Sequence, residues 1–254
     1  MKVQYASDLH LEFHDNSVFV TRSPFQVMGD VLVLAGDTFP LREYEDFRKH
    51  RFFDWCEEHF SETLLIPGNH EYYRSFADDY PDSWALELRP HVRMFENRVV
   101  RVDDTDFILS TLWSHVPYSA WPRLRSGMND FRLIRLHRGE FTATSYNALH
   151  ERDLSFIKEA VAASGAARKV VVTHHVPSRL LVAPEFVGSS LESGFTVDLT
   201  DYIESSGVDL WVYGHSHRSI DRTIGGTHVL SNQLGYVACA EHKGNFSGDR
   251  FVTL

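Results

Sequence analysis

The 254-residue sequence has only two cysteines, Cys56 and Cys239, and no Cys-x-x-Cys pair. A disulfide-rich scaffold and a zinc ribbon are therefore excluded, because each needs several closely spaced cysteines. Two isolated cysteines are typical of buried thiols in a reducing compartment, and that is what the sequence predicts here.

Long apolar runs are also missing. None approaches the roughly 18 residues that a membrane-spanning helix needs. The N-terminus reaches the carboxylate of Asp8 without an apolar signal core. We therefore predict a cytoplasmic protein that has no membrane partner.

Positive charge is scarce, since 25 lysines and arginines face 35 aspartates and glutamates, for a formal net charge of −10. A protein that binds long nucleic acid through a basic surface must neutralise phosphates, so this class is disfavoured. An enzyme that binds a phosphate group is still compatible with this net charge if metal ions supply the positive charge at its site. The 43% hydrophobic and 13% aromatic content is enough for a sizeable core and excludes global disorder.

Short apolar runs that end in polar residues recur along the chain. Continuous runs of about four to six apolar residues predict strands that are buried on both faces. The polar residues beyond such strands lie at the carboxyl ends, where open α/β sheets bind ligands. The runs are 3–7 before Asp8-Leu9-His10, 31–35 before Gly36-Asp37, 63–66 before Pro67-Gly68-Asn69-His70, 170–173 before His174-His175, and 210–213 before Gly214-His215-Ser216-His217.

Helices are predicted between these strands, over 43–60, 142–163 and 198–205. The stretches 98–102 and 107–113 predict a hairpin, and further strands are expected towards the C-terminus.

The chain shows no internal repeat, low-complexity tract or linker. We therefore predict one α/β domain over residues 1–254, with helices outside a core of two sheets. The segment 114–140 is the least regular part of the sequence. Long loops in compact domains are often functional, so it is predicted either as a cap over the site or as a plain surface excursion.

The residues beyond the five strands are of the types that bind divalent transition metals, namely imidazole, carboxylate and amide, without soft sulfur. Asp-x-His and His-x-His place both side chains on one face of an extended segment. Each motif alone is commonly a turn or a core histidine. All five in this order after buried strands indicate one site. Its candidate residues are Asp8, His10, Asp37, Asn69, His70, His174, His215 and His217.

These five blocks resemble those of the calcineurin-like metallophosphoesterases, over residues 3 to about 235. The resemblance implies a two-sheet β-sandwich flanked by helices (α/β/β/α). It also implies that one metal ion is held by Asp8, His10, Asp37 and His217, and the second by Asp37, Asn69, His174 and His215, with Asp37 bridging. His70 is then the catalytic acid, which binds no metal and contacts the phosphate together with Asn69.

Two divalent ions, two carboxylates and a bridging hydroxide leave about one positive charge, which attracts an anion. The hydroxide would attack the phosphorus of a phosphoester. The ligand types suit manganese, iron, zinc, cobalt and nickel alike, so the identity of the ions is not predicted. A nucleophilic Gly-x-Ser-x-Gly motif, a P-loop and His-Glu-x-x-His are absent from the sequence.

At two positions this sequence differs from particular subfamilies, and each difference disfavours one of them. Purple acid phosphatases have a tyrosine where this chain has Pro40, so an iron bound by tyrosinate is not expected. Protein Ser/Thr phosphatases continue Gly-Asp into Asp-Arg-Gly, whereas this chain continues with residues 38–42, Thr-Phe-Pro-Leu-Arg. The usual carboxylate partner of His70 is thereby lost, and no other partner is predicted. His175 is left as either a core residue or a substrate contact.

The predicted function is therefore hydrolysis of a small phosphate ester by a dimetal phosphodiesterase, either cyclic-nucleotide-like or of broad specificity. A nucleotide pyrophosphohydrolase or nuclease of the same fold is the first alternative. A metal-binding scaffold that has lost the chemistry is the second. The natural substrate and the oligomeric state are not predicted.

Overall fold

The structure is a computed structural model that describes residues 1–22 and 25–254. Within those residues the strands, numbered along the chain, form two mixed six-stranded sheets. The first sheet has the order β12-β1-β2-β3-β5-β4 and consists of Phe251–Thr253, Lys2–Ala6, Val31–Ala35, Glu62–Ile66, Val92–Glu96 and Trp84–Arg89. The second has the order β10-β11-β9-β8-β7-β6 and consists of Asp221–Ile224, Thr227–Leu230, Leu210–Val212, Arg168–Val172, Thr105–Leu109 and Arg98–Val102.

Each sheet is parallel at its centre. The strands β1, β2 and β3 run parallel in the first sheet, and β7, β8, β9 and β11 do so in the second. The carboxyl ends of neighbouring parallel strands meet at one edge of a sheet. The polar residues that follow β1, β2 and β3 are therefore brought together, and so are those that follow β8 and β9.

Three apolar layers hold the sheets and helices together. Alternate side chains of a strand point to opposite faces, so Val33 packs between the sheets while its neighbour Leu34 packs on the outer face of the first sheet. Trp211 packs on the outer face of the second sheet with Ile157. The predicted helix-flanked β-sandwich is thus confirmed, and the continuous apolar runs are explained by strands buried on both faces.

The helices, also numbered along the chain, are α1 to α8 in the described residues. They comprise His14–Thr21, Tyr44–Phe47, Arg51–His59, Trp121–Gly127, Asp130–Leu133, Ala143–Ala163, Glu192–Phe195 and Thr200–Ser205. The prediction over 142–163 is confirmed by α6. The helix predicted over 198–205 is also present as α8, but it begins at Thr200, two residues later than predicted.

The single helix predicted over 43–60 is wrong. The chain forms α2 and α3 instead, separated around His50, whose backbone is extended with φ −69° and ψ 130°. The ring of His50 accepts a hydrogen bond from the backbone N–H of Phe52 and so caps α3. A histidine at this position carries no helix-breaking signal of the kind that glycine or proline gives, which is why the sequence did not show the break.

The segment 114–140 is more regular than predicted, because it contains α4 and α5. The predicted hairpin is formed by β6 and β7, but its second strand ends at Leu109 rather than at Trp113.

The two cysteines differ in exposure. Cys56 is buried and Cys239 is exposed, and both are free. The prediction of two buried thiols is therefore wrong for Cys239, which is the last residue of a short 3₁₀ turn at the surface. Among the helices that the structure describes, none has the length and apolarity needed to cross a bilayer.

Candidate metal centre

The two sheets bring their carboxyl ends together at one place, and hydrogen bonds link them there. The backbone N–H of His215, beyond β9, donates to Asp8 Oδ1, beyond β1, over 3.0 Å. His174, beyond β8, lies 2.9 Å through its ring Nδ1 from the backbone oxygen of Ala35 at the end of β2. The residues predicted from five separate motifs therefore meet in one cluster.

Asp8, His10 and His217 form one part of the cluster, which we call half-site 1. The Nε2 atoms of His10 and His217 lie 3.0 Å apart, and His217 Nε2 lies 3.5 Å from Asp8 Oδ1. Asp37 Oδ2 is 3.8 Å from His10 Nε2.

Asn69, His174 and His215 form the other part, which we call half-site 2. His174 Nε2 lies 3.1 Å from Asn69 Oδ1 and 3.1 Å from His215 Nδ1. Asp37 Oδ1 is 3.3 Å from the same nitrogen. Asp37 therefore directs one carboxylate oxygen towards each half-site, as a bridging ligand would.

The hydrogen bonds that the histidine rings make on the side away from the cluster determine which ring nitrogen carries the proton and which one presents a lone pair to the cluster. His217 Nδ1 lies 2.7 Å from Glu241 Oε2, and His174 Nδ1 faces the carbonyl of Ala35, so these outer nitrogens carry the proton. The inner Nε2 atoms then present lone pairs.

Several lone pairs that face one another at 3.0–3.8 Å repel unless a cation lies between them. Ligand atoms about 2.1 Å from one ion lie about 3.0–3.5 Å from each other. Both the donor types and their spacing therefore fit two divalent ions.

The electrostatics of half-site 2 also favour positive charge. Burial opposes protonation, but Asp37 raises the pKa of His174 to about 10. Burial by itself would raise the pKa of the Asp37 carboxyl, but the neighbouring His174 holds that pKa well below its usual range. Burial, with His175 and His174 next to it, keeps the pKa of His215 well below its usual range. The site therefore takes up a proton in the absence of an ion, and an ion has to displace it.

Five of the predicted ligands have a left-handed backbone. This conformation costs a residue other than glycine about 1–2 kcal/mol, and such strain is concentrated at functional sites. The residues and their φ angles are Asp8 (57°), His10 (47°), Asp37 (54°), His215 (77°) and His217 (52°). The fold thus holds these side chains in positions that the backbone alone would disfavour.

Gly68 allows the loops to approach each other closely. A Cβ atom at this position would collide with the carboxylate of Asp37 and the ring of His174. Glu71 then ties these loops together, because its buried carboxylate accepts backbone N–H bonds from Asp37, Thr38, Phe39 and Gly68. Through these four bonds Glu71 supports the loops that carry the candidate ligands.

His70 has the carboxylate partner that the sequence did not reveal. Its Nδ1 lies 2.8 Å from Glu12 Oε1, which also lies 3.3 Å from His10 Nδ1. Burial by itself would lower the pKa of His70, but the nearby carboxylates of Asp37 and Glu12 raise it to about 9. The sequence did place Glu12 near the cluster, since Asp8, His10 and Glu12 alternate after β1. Nothing in this Asp-x-His-x-Glu pattern indicated that Glu12 would pair with His70.

By distance alone His70 could also be a ligand, because one of its ring nitrogens lies within 4.8 Å of ligand atoms of His10 and Asp37. Its Nδ1 is engaged by Glu12, and Nε2 has only a distant contact of 3.5 Å with the hydroxyl of Tyr236. This leaves Nε2 available towards the open side of the cluster.

Asp130, which begins α5 in the segment 114–140, orients a predicted ligand. Its Oδ1 accepts hydrogen bonds from Asn69 Nδ2 over 2.9 Å and from the hydroxyl of Tyr73 over 2.7 Å. A carboxylate can only accept, so the amide nitrogen of Asn69 faces Asp130 and its oxygen faces half-site 2. The sequence offered no signal for this pairing.

His175 lies behind the centre. It is fully buried, its Nε2 lies 2.9 Å from the hydroxyl of Tyr146, and its ring packs at 4.2 Å against that of His215. It is not among the residues that line the cavity next to the metal centre. The structure thus places it in the core, outside the lining of this cavity.

A cavity of about 400 Å³ opens beside the cluster. Its polar end contains Asn69, His70, His215 and His217, and Tyr236 also lines it. Residues 127–130 of the segment 114–140 form part of the wall. This segment therefore contributes directly to the space that a substrate would enter.

Comparison with known proteins identifies a family and relatives with a similar fold. The family model described as calcineurin-like phosphoesterase matches residues 1–219. An uncharacterized protein, L509 of Acanthamoeba polyphaga mimivirus, is 25% identical over 99% of this chain and 96% of its own length. The crystal structure of a phosphopantetheinyl hydrolase from Mycobacterium tuberculosis superposes with a TM-score of 0.69 and 18% identity, covering 99% of this chain and 95% of the other.

Proposed function

Because the chain belongs to the calcineurin-like phosphoesterase family, we propose that it is a phosphodiesterase that hydrolyses a P–O bond with two divalent metal ions. The observation that carries the proposal is the cluster of inward-facing lone pairs around Asp37, with His70 and an open cavity beside it. A histidine paired with a carboxylate at such a place fits proton transfer to a leaving group.

In this proposal Asp37 and half-site 1 hold one ion, and Asp37 and half-site 2 hold the other. The ions, when bound, supply activation of water and neutralisation of phosphoryl charge. The chain's own residues orient the reaction. Glu12 holds the Nδ1 proton of His70, which directs Nε2 to donate its proton to the leaving oxygen.

The cavity favours one phosphate group over several. Among the described residues that line it, Arg218 is the one side chain with a permanent positive charge. Its guanidinium lies 2.5 Å from Glu185 and also donates to the backbone oxygen of His217, so it is already engaged. A pyrophosphohydrolase or a nuclease would need further cations for its additional phosphates. A phosphodiester therefore fits better than either alternative.

The likeness to the phosphopantetheinyl hydrolase concerns the fold, and its name adds one compound to the substrates worth testing. A single domain over residues 1–254, a small phosphate-ester substrate and a cytoplasmic location stay predictions of the sequence.

Turnover of bis-p-nitrophenyl phosphate together with metal content by mass spectrometry tests the proposal. The wild-type protein should hold two ions and hydrolyse the ester. His70→Ala should keep both ions and lose about 10²–10⁴-fold in kcat on alkyl phosphodiesters. The loss on p-nitrophenyl esters should be smaller, because p-nitrophenolate leaves without needing a proton.

His91→Gln is the matched control, since His91 is an exposed histidine that pairs with Glu62 far from the cluster. It should change neither metal content nor rate. Equal losses for His70→Ala on both ester types would reduce His70 to a phosphate contact. A protein that binds two ions but turns over no ester would be the non-catalytic scaffold.

A further inference from the structure

One side of the cavity is apolar, and this apolar wall begins next to the metal centre. The ring of Phe195 packs against that of His215 with centroids 4.8 Å apart. Five further large apolar side chains line the same cavity, namely Met128, Val176, Val182, Phe186 and Leu191. We call these six residues the apolar wall. A substrate held by its phosphate at the cluster would therefore place one arm against it.

Three residues of the apolar wall, Met128, Leu191 and Phe195, lie where two segments pack closely. A Cβ atom at Gly127 would come within 2.7 Å of Leu191 Cδ2, and one at Gly194 would collide with Met128. A side chain at either position would therefore have to displace the ends of Leu191 or Met128, so the two glycines let the segments around 124–128 and 191–195 pack against each other. Met128 is 3% exposed and Leu191 packs against the same apolar cluster, so this part of the wall is in place before an arm binds and needs little ordering.

Charge on the remaining lining residues disfavours an arm with anionic groups. Glu192 and Glu241 both face the cavity, and Arg218 is paired with Glu185. A second phosphate or a carboxylate on the arm would meet these carboxylates without a free cation to bind it.

We propose that the apolar wall is a subsite for an uncharged, aliphatic arm of a phosphoester with a single phosphate group. This proposal rests on the proposed function for the position of the phosphate. The cavity corresponds in volume to roughly 13 water molecules at about 30 Å³ each. After the phosphate is placed, it has room for an arm of several carbon atoms.

The test is calorimetric binding of methyl-, butyl- and hexylphosphonate to the metal-loaded protein, with adenosine monophosphate as the nucleoside comparison. Each methylene should tighten binding by about threefold to fourfold, so that butylphosphonate binds roughly 30- to 60-fold more tightly than methylphosphonate. Phe186→Ser should lower that ratio by at least about threefold and leave the affinity for methylphosphonate unchanged.

Val187→Ser is the matched control, because Val187 is the next residue, is 66% exposed and does not line the cavity. It should leave the whole series unchanged. Affinities that do not depend on chain length, tighter binding of adenosine monophosphate than of hexylphosphonate, or equal effects of the two variants would overturn the subsite. Turnover of bis-p-nitrophenyl phosphate, measured separately, shows whether the proposed function itself has failed.

Discussion

Half-site 1 and half-site 2 present similar donor atoms, but the structure supports them in different ways. In half-site 1 the outer nitrogen of His217 faces the carboxylate of Glu241. In half-site 2 the outer nitrogen of His174 faces the backbone carbonyl of Ala35. A carboxylate side chain can move and makes its imidazole more basic. A carbonyl inside β2 is fixed by the sheet.

The two half-sites also differ in exposure. The side chain of His217 is 15% exposed and that of Glu241 is 25% exposed, whereas His174 is fully buried. Water can therefore compete for the ligands of half-site 1 more readily than for those of half-site 2. We expect half-site 1 to exchange its ion faster. Residues outside the ligand set thus determine how two sites with similar donors differ.

The largest effect is expected from the residue that the half-sites share. Asp37→Ala removes one oxygen from each, so metal content should fall from two ions towards none, and kcat should fall by about 10³-fold or more. Mass spectrometry and turnover measure both quantities. Asp201→Ala, on the exposed surface of α8, is the control and should change neither. Two ions at full occupancy in Asp37→Ala would show that Asp37 does not bridge.

Substitutions outside the ligand set should separate the half-sites. Asp130→Leu frees the amide of Asn69 to rotate, so binding of one ion should weaken by about 10–100-fold while the other is unchanged. Glu241→Leu should weaken the other ion by less, because water can replace the lost acceptor in half-site 1. Calorimetric titration of the chelator-treated protein with Mn²⁺ measures both steps.

Exchanging the donor and the acceptor sharpens this test. Asn69→Asp alone places two carboxylates against each other, whereas the pair Asn69→Asp with Asp130→Asn restores the hydrogen bond in reverse. The double variant should bind metal more tightly than Asn69→Asp. Glu192→Leu, which removes a cavity carboxylate bonded to Arg179, is the control and should bind both ions normally. If Asp130→Leu weakened both ions equally, the half-sites would not be independent.

The cluster of candidate ligands could be predicted because the position of each residue is fixed by local sequence. Asp8, Asp37 and His174 each stand two positions after the last residue of a buried strand, and parallel strands bring their carboxyl ends together. The apolar runs likewise determined which segments became central strands. Short motifs and strand periodicity therefore defined the sandwich and the cluster.

The supporting residues could not be predicted, because their partners are distant in sequence. Glu12 is 58 residues from His70, and Asp130 is 61 residues from Asn69. No periodicity connects such pairs, and each depends on how a loop folds over the sheet edge. The break at His50 was missed for a related reason, since a side-chain cap depends on a bond that composition does not encode.

A smaller effect is expected from protons, and it also distinguishes the half-sites. Against the effect of burial, Asp37 raises the pKa of His174 in half-site 2 to about 10. Burial, together with His70, lowers the pKa of His10 in half-site 1. At neutral pH an ion therefore displaces a proton from half-site 2 and none from His10.

A histidine whose pKa is raised in the folded state stabilises the protein fully below the unfolded value of about 6.5. That contribution is lost as the pH rises towards 10. The metal-free protein should therefore lose stability between about pH 6.5 and about pH 8.5, while an ion takes the place of the proton in the loaded protein. The increase in Tm on adding metal should then be larger at the higher pH, by roughly 5–10 °C. Scanning calorimetry of both forms at both pH values measures this, with His91→Gln behaving as the wild type. An increase that is equal at both pH values, or smaller at the higher one, would show that half-site 2 holds no proton to displace.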